Sequence, residues 1–208
     1  MTEQNRVQWV YSSRNNRELI ERYDHWAADY DKDLDRDFDY LGPRLAAEVF
    51  RKYVATDAAI LDAGAGTGLV GEVLAGLGYG NLVAMDMSPG MLKEAGRKNV
   101  YRELHQMVMG EPLAFETAAF DAVICVGTLT VAHAPASSLD ELVRVTRAGG
   151  YVAYTLRPDV YLNSGFKEKQ DALEAAGKWQ LAEVSEATQT LPKGEPDVMH
   201  QVWLYRVL

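Results

Sequence analysis

The segment Ile60-Leu61-Asp62-Ala63-Gly64-Ala65-Gly66-Thr67-Gly68 narrows the possible folds more than any other stretch of the chain. An apolar run ends in an acid, glycine follows at every second position, and Leu69-Val70-Gly71-Glu72-Val73-Leu74 opens a helical pattern. Alternating glycines let the backbone turn tightly and let a ligand lie against main-chain N–H groups. A second apolar stretch, Leu82-Val83-Ala84-Met85, also ends in an acid, Asp86, where a ribose would be held. Together these features predict a nucleoside-cofactor site at the carboxyl edge of a parallel sheet.

The spacing also bears on which cofactor. A dinucleotide fingerprint, G-x-G-x-x-G, demands glycine at position 69, where the chain has Leu69. A carboxylate two residues before the first glycine repels a pyrophosphate and attracts an ammonium group. S-adenosylmethionine carries an α-amino group and a sulfonium and has no phosphate, so it is the expected cofactor. A nicotinamide oxidoreductase is disfavoured on the same two grounds.

The 208 residues suffice for one well-buried domain. No stretch approaches the roughly 20 apolar residues that span a bilayer, and Met1–Arg6 lacks the layout of a signal peptide. A single cysteine, Cys125, excludes an internal disulfide and a cysteine-based zinc site. No metal is expected, and a cytoplasmic location fits. The net charge of −9, from 21 basic and 30 acidic residues, disfavours a nucleic-acid substrate. Phosphate binding needs clustered Lys and Arg, and here they are scattered.

Apolar residues at helical spacing predict an amphipathic helix over Asn16–Tyr30 and a second over Pro43–Val54. Strands are expected at Ala59–Asp62, Leu82–Asp86, Glu103–Met107, Ala122–Val126 and Tyr151–Leu156. Helices are expected at Leu69–Leu77, Pro89–Lys98, Ser138–Thr146 and Phe166–Ala176. Such alternation means a parallel sheet covered on both faces. Trp179–Leu191 and Val198–Val207 carry β-formers with no helix between them, which predicts an antiparallel hairpin at the far edge. The expected fold is α/β, a Rossmann-like three-layer sandwich with a mostly parallel seven-stranded sheet and that C-terminal hairpin. One domain is expected over 1–208, with 1–55 as a helical lid and 56–208 as the core.

The glycine turn, Asp86, Phe120-Asp121-Ala122-Val123-Ile124 and Arg147-Ala148-Gly149-Gly150-Tyr151 resemble the corresponding motifs of class I S-adenosylmethionine-dependent methyltransferases. The last of these is usually written with Pro-Gly-Gly, and Ala148 stands in place of the proline. Tyr23–Asp33, Gly68–Gly71, Met87–Leu92 and Val126–Leu129 look more narrowly like the methyltransferase-like protein of the Williams–Beuren syndrome chromosome region. The resemblance implies methyl transfer from S-adenosylmethionine, and it names no acceptor. A small molecule is the expected acceptor. A protein or RNA methyltransferase, or a domain that binds the cofactor without catalysis, are the alternatives.

Asp62, Gly64, Ala65, Gly66 and Gly68 are expected around the methionine portion of the cofactor. Gly64 lets the chain turn, Gly66 admits the ligand, and Gly68 lets the following helix pack closely. Asp86 is expected on the ribose hydroxyls, with Met87 and Met91 against the adenine, because thioethers adapt to flat aromatic faces. The resemblance places an acid near the adenine amine, which suggests Glu111, and places Val126 and Gly127 against the cofactor, with Leu129 toward the acceptor. Tyr30 resembles a tyrosine that closes over the methionine end, where its face favours a sulfonium; Tyr23 and Trp26 share its stripe. If a general base is used, His133 is the best placed by position, with Tyr30 the other candidate for a catalytic role. His25, His105 and His200 have less support, and Cys125 reads as packing. The alternating aspartates at 29, 31, 33, 35, 37 and 39 lack the glycine and glutamate of a calcium loop and read as a solvated acidic flap.

Overall fold

A computed structural model describes residues 6–130 and 133–208. The first parallel unit runs from β1 (Ile60–Ala63) through α5 (Leu69–Gly76) to β2 (Leu82–Asp86), with Ile60 paired to Leu82 and Ala63 to Met85. All four β1 residues are buried, as a strand covered on both faces requires. α6 (Pro89–Arg97) follows; the Ser88 side chain accepts from Met91 N at 3.0 Å, and Pro89 opens the helix. β3 (Glu103–Gln106), β4 (Phe120–Cys125), α7 (Ser138–Val145) and β5 (Thr146–Leu156) complete the parallel part.

The sheet has the order β3-β2-β1-β4-β5-β8-β6. It is parallel up to β5. β8 (Met199–Val207) then runs antiparallel between β5 and β6 (Trp179–Val184). The expected C-terminal pairing is thus present, with the last strand lying inside the sheet and β6 forming the edge. A two-residue β7 (Thr188–Gln189) adds to β8, so the sheet has eight strands rather than seven. The Gly-Gly segment turns out to be a bulge within β5. There the β4–β5 register shifts, and a side chain at Gly150 would strike the Asp121 carbonyl. Two further helices, α8 (Pro158–Asn163) and α9 (Phe166–Ala175), link β5 to β6.

One apolar core lies on each face of the sheet, and a third lies beneath the N-terminal helices. The helix expected over 16–30 stops at Trp26 (α2, Asn16–Trp26), where Asn15 caps its start by accepting from Glu18 N. Before it lies α1 (Arg6–Tyr11); after it come α3 (Tyr30–Asp33), a π-helical turn (Leu34–Phe38) and α4 (Gly42–Phe50). The aspartate run is therefore solvated only in part: Asp29, Asp35 and Asp37 are exposed, whereas Asp33 is buried. Leu34 and Phe38 are buried in the third core, and they pull Asp33 in with them. Asp33 accepts from the Trp26 indole at 2.9 Å and pairs with Arg6 at 2.8 Å.

Candidate functional site

The strand order reverses at β1, with β2 and β3 laid down on one side and β4 and β5 on the other. This switch opens a crevice at the carboxyl ends of these parallel strands. A cleft of about 1160 Å³, counting space open to solvent, occupies that crevice beneath the N-terminal helices. Its floor is the glycine turn. Gly64 has φ +75°, and a side chain there would run into Thr128. Gly66 has φ +55°, and a side chain there would meet nothing within 4 Å, so its open side is available to a ligand. Gly68 starts α5 at φ +87°, where a Cβ would lie 2.9 Å from Tyr101 and 3.3 Å from Ala95. It admits close packing and does not line the cleft.

Asp86 lines the cleft and fastens its floor. One carboxylate oxygen accepts from Gly66 N at 2.8 Å and the other from Ser88 N at 2.9 Å. Burial raises its pKa, and those backbone donors oppose the rise. Ala65, Met87, Met91 and Val126 also line the cleft, as does Tyr30. The Tyr30 ring meets Trp26 edge-on at 4.6 Å.

Besides Gly68, two expected cofactor residues lie outside the cleft. Asp62 has no exposed surface and stands behind the glycine turn, with its Oδ2 accepting from the Tyr101 hydroxyl at 2.6 Å. Tyr101 in turn accepts from Gly71 N at 3.1 Å. The last positions of a strand alternate in direction, and Asp62 points into the helix layer rather than at the ligand. Burial pushes its carboxyl up to about 7. Asp62 thus supports the turn from behind and does not line the cleft. Glu111 is exposed and outside the cleft; Met107 and Met109, which the sequence reading passed over, line it in that region. The β3 strand ends at Gln106, and after Met107 and Met109 the chain turns at Gly110, with φ +93°, so Glu111 falls beyond the rim.

His133 does reach the cleft wall, beside Val131 and Ala132, which lie outside the described residues. Its Nε2 is 2.7 Å from the Tyr23 hydroxyl, its ring meets Tyr11 edge-on at 4.9 Å, and burial lowers it to about 4. Leu129 is buried in a sheet-face core rather than in the cleft, and Cys125 is buried with its thiol pushed up to about 12. His200, set aside on sequence, also lines the cleft, together with Tyr11 and Tyr40. Four tyrosines thus surround the space (11, 23, 30 and 40), and burial raises the pKa of each. Tyr23 and Tyr30 share a helical stripe in the sequence, but no periodicity joins them to Tyr11, Tyr40, His133 and His200, which come from separate segments of the chain.

Two carboxylates bind the N-terminal helices over the floor. Asp24 of α2 accepts from Ser88 Oγ at 2.5 Å and Gly90 N at 2.8 Å, at the start of α6. Asp31 of α3 accepts from the Thr67 hydroxyl and pairs with Lys98 at 2.7 Å. The residues present fit an adenosyl sulfonium compound. Gly66 leaves open space beside the main chain of the turn, Asp86 offers acceptor capacity, and thioether and aromatic faces line the walls. Among the lining residues Asp86 is the only Asp, Glu, Lys or Arg.

Residues 61–154 match the methyltransferase domain family. A human protein, methyltransferase-like protein 27, is 39% identical over 166 residues, covering 76% of this chain and 66% of that protein. It is the Williams–Beuren region protein whose motifs the sequence resembles. The chain spans 38% of the demethylmenaquinone methyltransferase of Renibacterium salmoninarum, at 38% identity over 93 residues. Among solved structures, a chain of the complex between the Haloferax volcanii Trm112 methyltransferase activator and a methyltransferase superposes with a TM-score of 0.68. It is 16% identical, with 90% of this chain and 96% of that one covered. At such identity the likeness shows the fold alone.

Proposed function

We infer that this chain, a class I S-adenosylmethionine-dependent methyltransferase by fold and by domain family, methylates a small molecule held beneath its N-terminal helices. The observation that carries the reading is the cover of apolar and aromatic side chains that α1, α2 and α3 place over the glycine floor, which narrows access to the cleft beside it. The absence of Lys and Arg from its lining argues against a phosphate-bearing polymer as acceptor. Of the segment 1–55 expected as a lid, α1, α2 and α3 cover the cleft, while α4 packs on the sheet and belongs with the core. A cytoplasmic setting suits the single buried cysteine; among the described residues no helix is long and apolar enough to cross a membrane.

S-adenosylmethionine, when bound, supplies an electrophilic methyl group with a neutral thioether as leaving group. The turn from Gly64 to Gly66 would hold its methionine end through the backbone. Asp86 would accept from the ribose hydroxyls, and Met87 and Met91 would flank the adenine. Tyr30 presents an aromatic face suited to a sulfonium. The remaining task of the protein is to align a nucleophile and exclude water, which the aromatic roof performs. Calorimetry with S-adenosylmethionine and S-adenosylhomocysteine tests the cofactor assignment, and transfer of a labelled methyl group to a metabolite extract tests the acceptor class. Binding of a phosphate-bearing nucleotide in place of both would overturn the reading. Label appearing only in protein or RNA would overturn the small-molecule acceptor.

A further inference from the structure

The cleft has two ends of different chemistry. Gly66, Asp86 and the methionines mark one. The other is walled by Val7, Val10, Tyr11, Tyr40, Leu191 and His200, from α1, the segment before α4, and the strands at the antiparallel edge. At this end the two histidines are held differently. His133 spends Nε2 on the Tyr23 hydroxyl, and its Nδ1 is sealed from solvent. His200 has Nδ1 at 2.6 Å from Thr190 Oγ1, while its Nε2 has no hydrogen-bond partner among the described residues. Thr190 is itself buried and its carbonyl accepts from Leu41 N, so the anchor of the ring is fixed.

We propose that His200 holds the methyl acceptor and takes its proton, and that this acceptor is an uncharged, ring-bearing alcohol or phenol. The proposal rests on the methyltransferase reading. With the proton of the neutral ring on Nδ1, donated to Thr190 Oγ1, the lone pair of Nε2 faces the cleft. There it accepts from a hydroxyl and repels an anionic oxygen. The flat faces of Tyr11 and Tyr40 and the side chains of Val7, Val10 and Leu191 suit an apolar ring. A cationic amine would meet the sulfonium with like charge and no carboxylate on the walls at this end. The charged groups acting on His200 are Arg157 and Asp159, which pair with each other at 2.7 Å, and Glu195, outside the lining, acts on Tyr11 and on Arg157.

The proton balance favours a hydroxyl as well. As the acceptor oxygen forms its bond to the methyl carbon, the carbon–sulfur bond breaks and its electron pair stays on sulfur. The oxygen, now bonded to carbon twice and to hydrogen, is a strongly acidic oxonium, and its proton passes to Nε2 and then to solvent. Burial, with Arg157 beside it, lowers His200 to about 4. That basicity suffices for an oxonium and would not remove a proton from an alkylammonium product.

The test uses the full chain saturated with S-adenosylhomocysteine and three probes of one size: catechol, benzoate and benzylamine. Catechol should bind, with the other two at least about tenfold weaker. His200→Gln should weaken catechol about tenfold or more and leave S-adenosylhomocysteine affinity unchanged. Thr190→Val, which leaves the ring without its anchor, should weaken catechol by a smaller factor. In nitrogen-15 spectra catechol should move the His200 ring signals and leave those of His133 in place. Equal binding of benzoate or benzylamine, no binding of catechol, or indifference of catechol to His200→Gln would overturn the proposal while the cofactor reading stands. Failure of S-adenosylhomocysteine itself to bind would overturn the reading beneath it.

Discussion

The two ends of the cleft are built on opposite plans. Most of the cofactor end comes from consecutive chain, since β1, its glycine turn, β2 and the start of α6 lie within residues 60–97. Tyr30, Met107, Met109 and Val126 complete it from outside. The acceptor end gathers single residues from α1, the stretch around Tyr40, the loop holding His133 and the strands near the C-terminus. A local site leaves its geometry in spacing, since glycine and acid must fall at fixed offsets along one turn. A dispersed site leaves no such trace, since each side chain is set by the packing of its own element. The comparison predicts that damage at the cofactor end is sharp and confined to a few residues.

The largest effect is expected at Gly64. A β-branched side chain there meets Thr128 and must also adopt φ +75°. Gly64→Val should therefore cost about 2–4 kcal/mol of stability, combining backbone strain with overpacking. The midpoint of urea unfolding measures this. A shift of less than 1 kcal/mol would mean the turn is looser than its contacts indicate. Gly66→Ala, by contrast, carries strain without a clash, so its loss should fall on cofactor affinity instead.

Next comes Asp86→Ala, which removes the acceptor for Gly66 N and Ser88 N along with the group assigned to the ribose. S-adenosylmethionine affinity should fall by about 1–3 kcal/mol, or roughly 5- to 150-fold. Isothermal calorimetry reads it directly. Unchanged affinity would move the ribose elsewhere and dissolve the distinction between the two ends.

How much of this was legible follows the same division. The glycine turn, Asp86, Met87 and the strand ends at Leu82–Asp86 could be read because helix and strand periods and turn chemistry are local rules. Asp62 was found, but its burial behind the turn, outside the cleft lining, was not legible. Sequence shows that an acid ends the strand, and only the position of Tyr101, 39 residues on, shows which way it faces. Glu111 failed because a loop does not conserve the inward and outward alternation of the strand before it. His200 was passed over because its significance depends on Thr190 and on β8 lying inside the sheet. The acidic run misled because Leu34 and Phe38 bury one face of it, a tertiary effect that overrides composition.

Asp62 offers a smaller, pH-dependent test. Its folded pKa, about 7, lies above the ordinary carboxyl value, so between about pH 4 and 7 the folded state holds a proton the unfolded state has released. Stability should therefore fall as pH rises through that window and then level off. Asp62→Asn removes the ionisation while keeping an oxygen for Tyr101, so its stability curve should be flatter there and exceed wild type by on the order of 1 kcal/mol at pH 8. Parallel curves for the two proteins would show that Asp62 is ionised in the fold, and so not buried behind the turn.

The smallest effect is expected where the two ends are joined. Asp31 accepts from Thr67 on the floor and pairs with Lys98, but it is 40% exposed, so water screens much of the pairing. Asp31→Ala should cost only about 0.5–1 kcal/mol of global stability. Its consequence is local, because Asp24 would remain as the other tie between the N-terminal helices and the Rossmann-like core. Amides of α2 and α3 should exchange faster in the variant while those of β1 and β4 keep their protection, since local opening and global unfolding are separate equilibria. Added S-adenosylhomocysteine should restore much of the difference if the helices close on the bound cofactor. Equal acceleration across the sheet would mean that lid and core unfold as one unit.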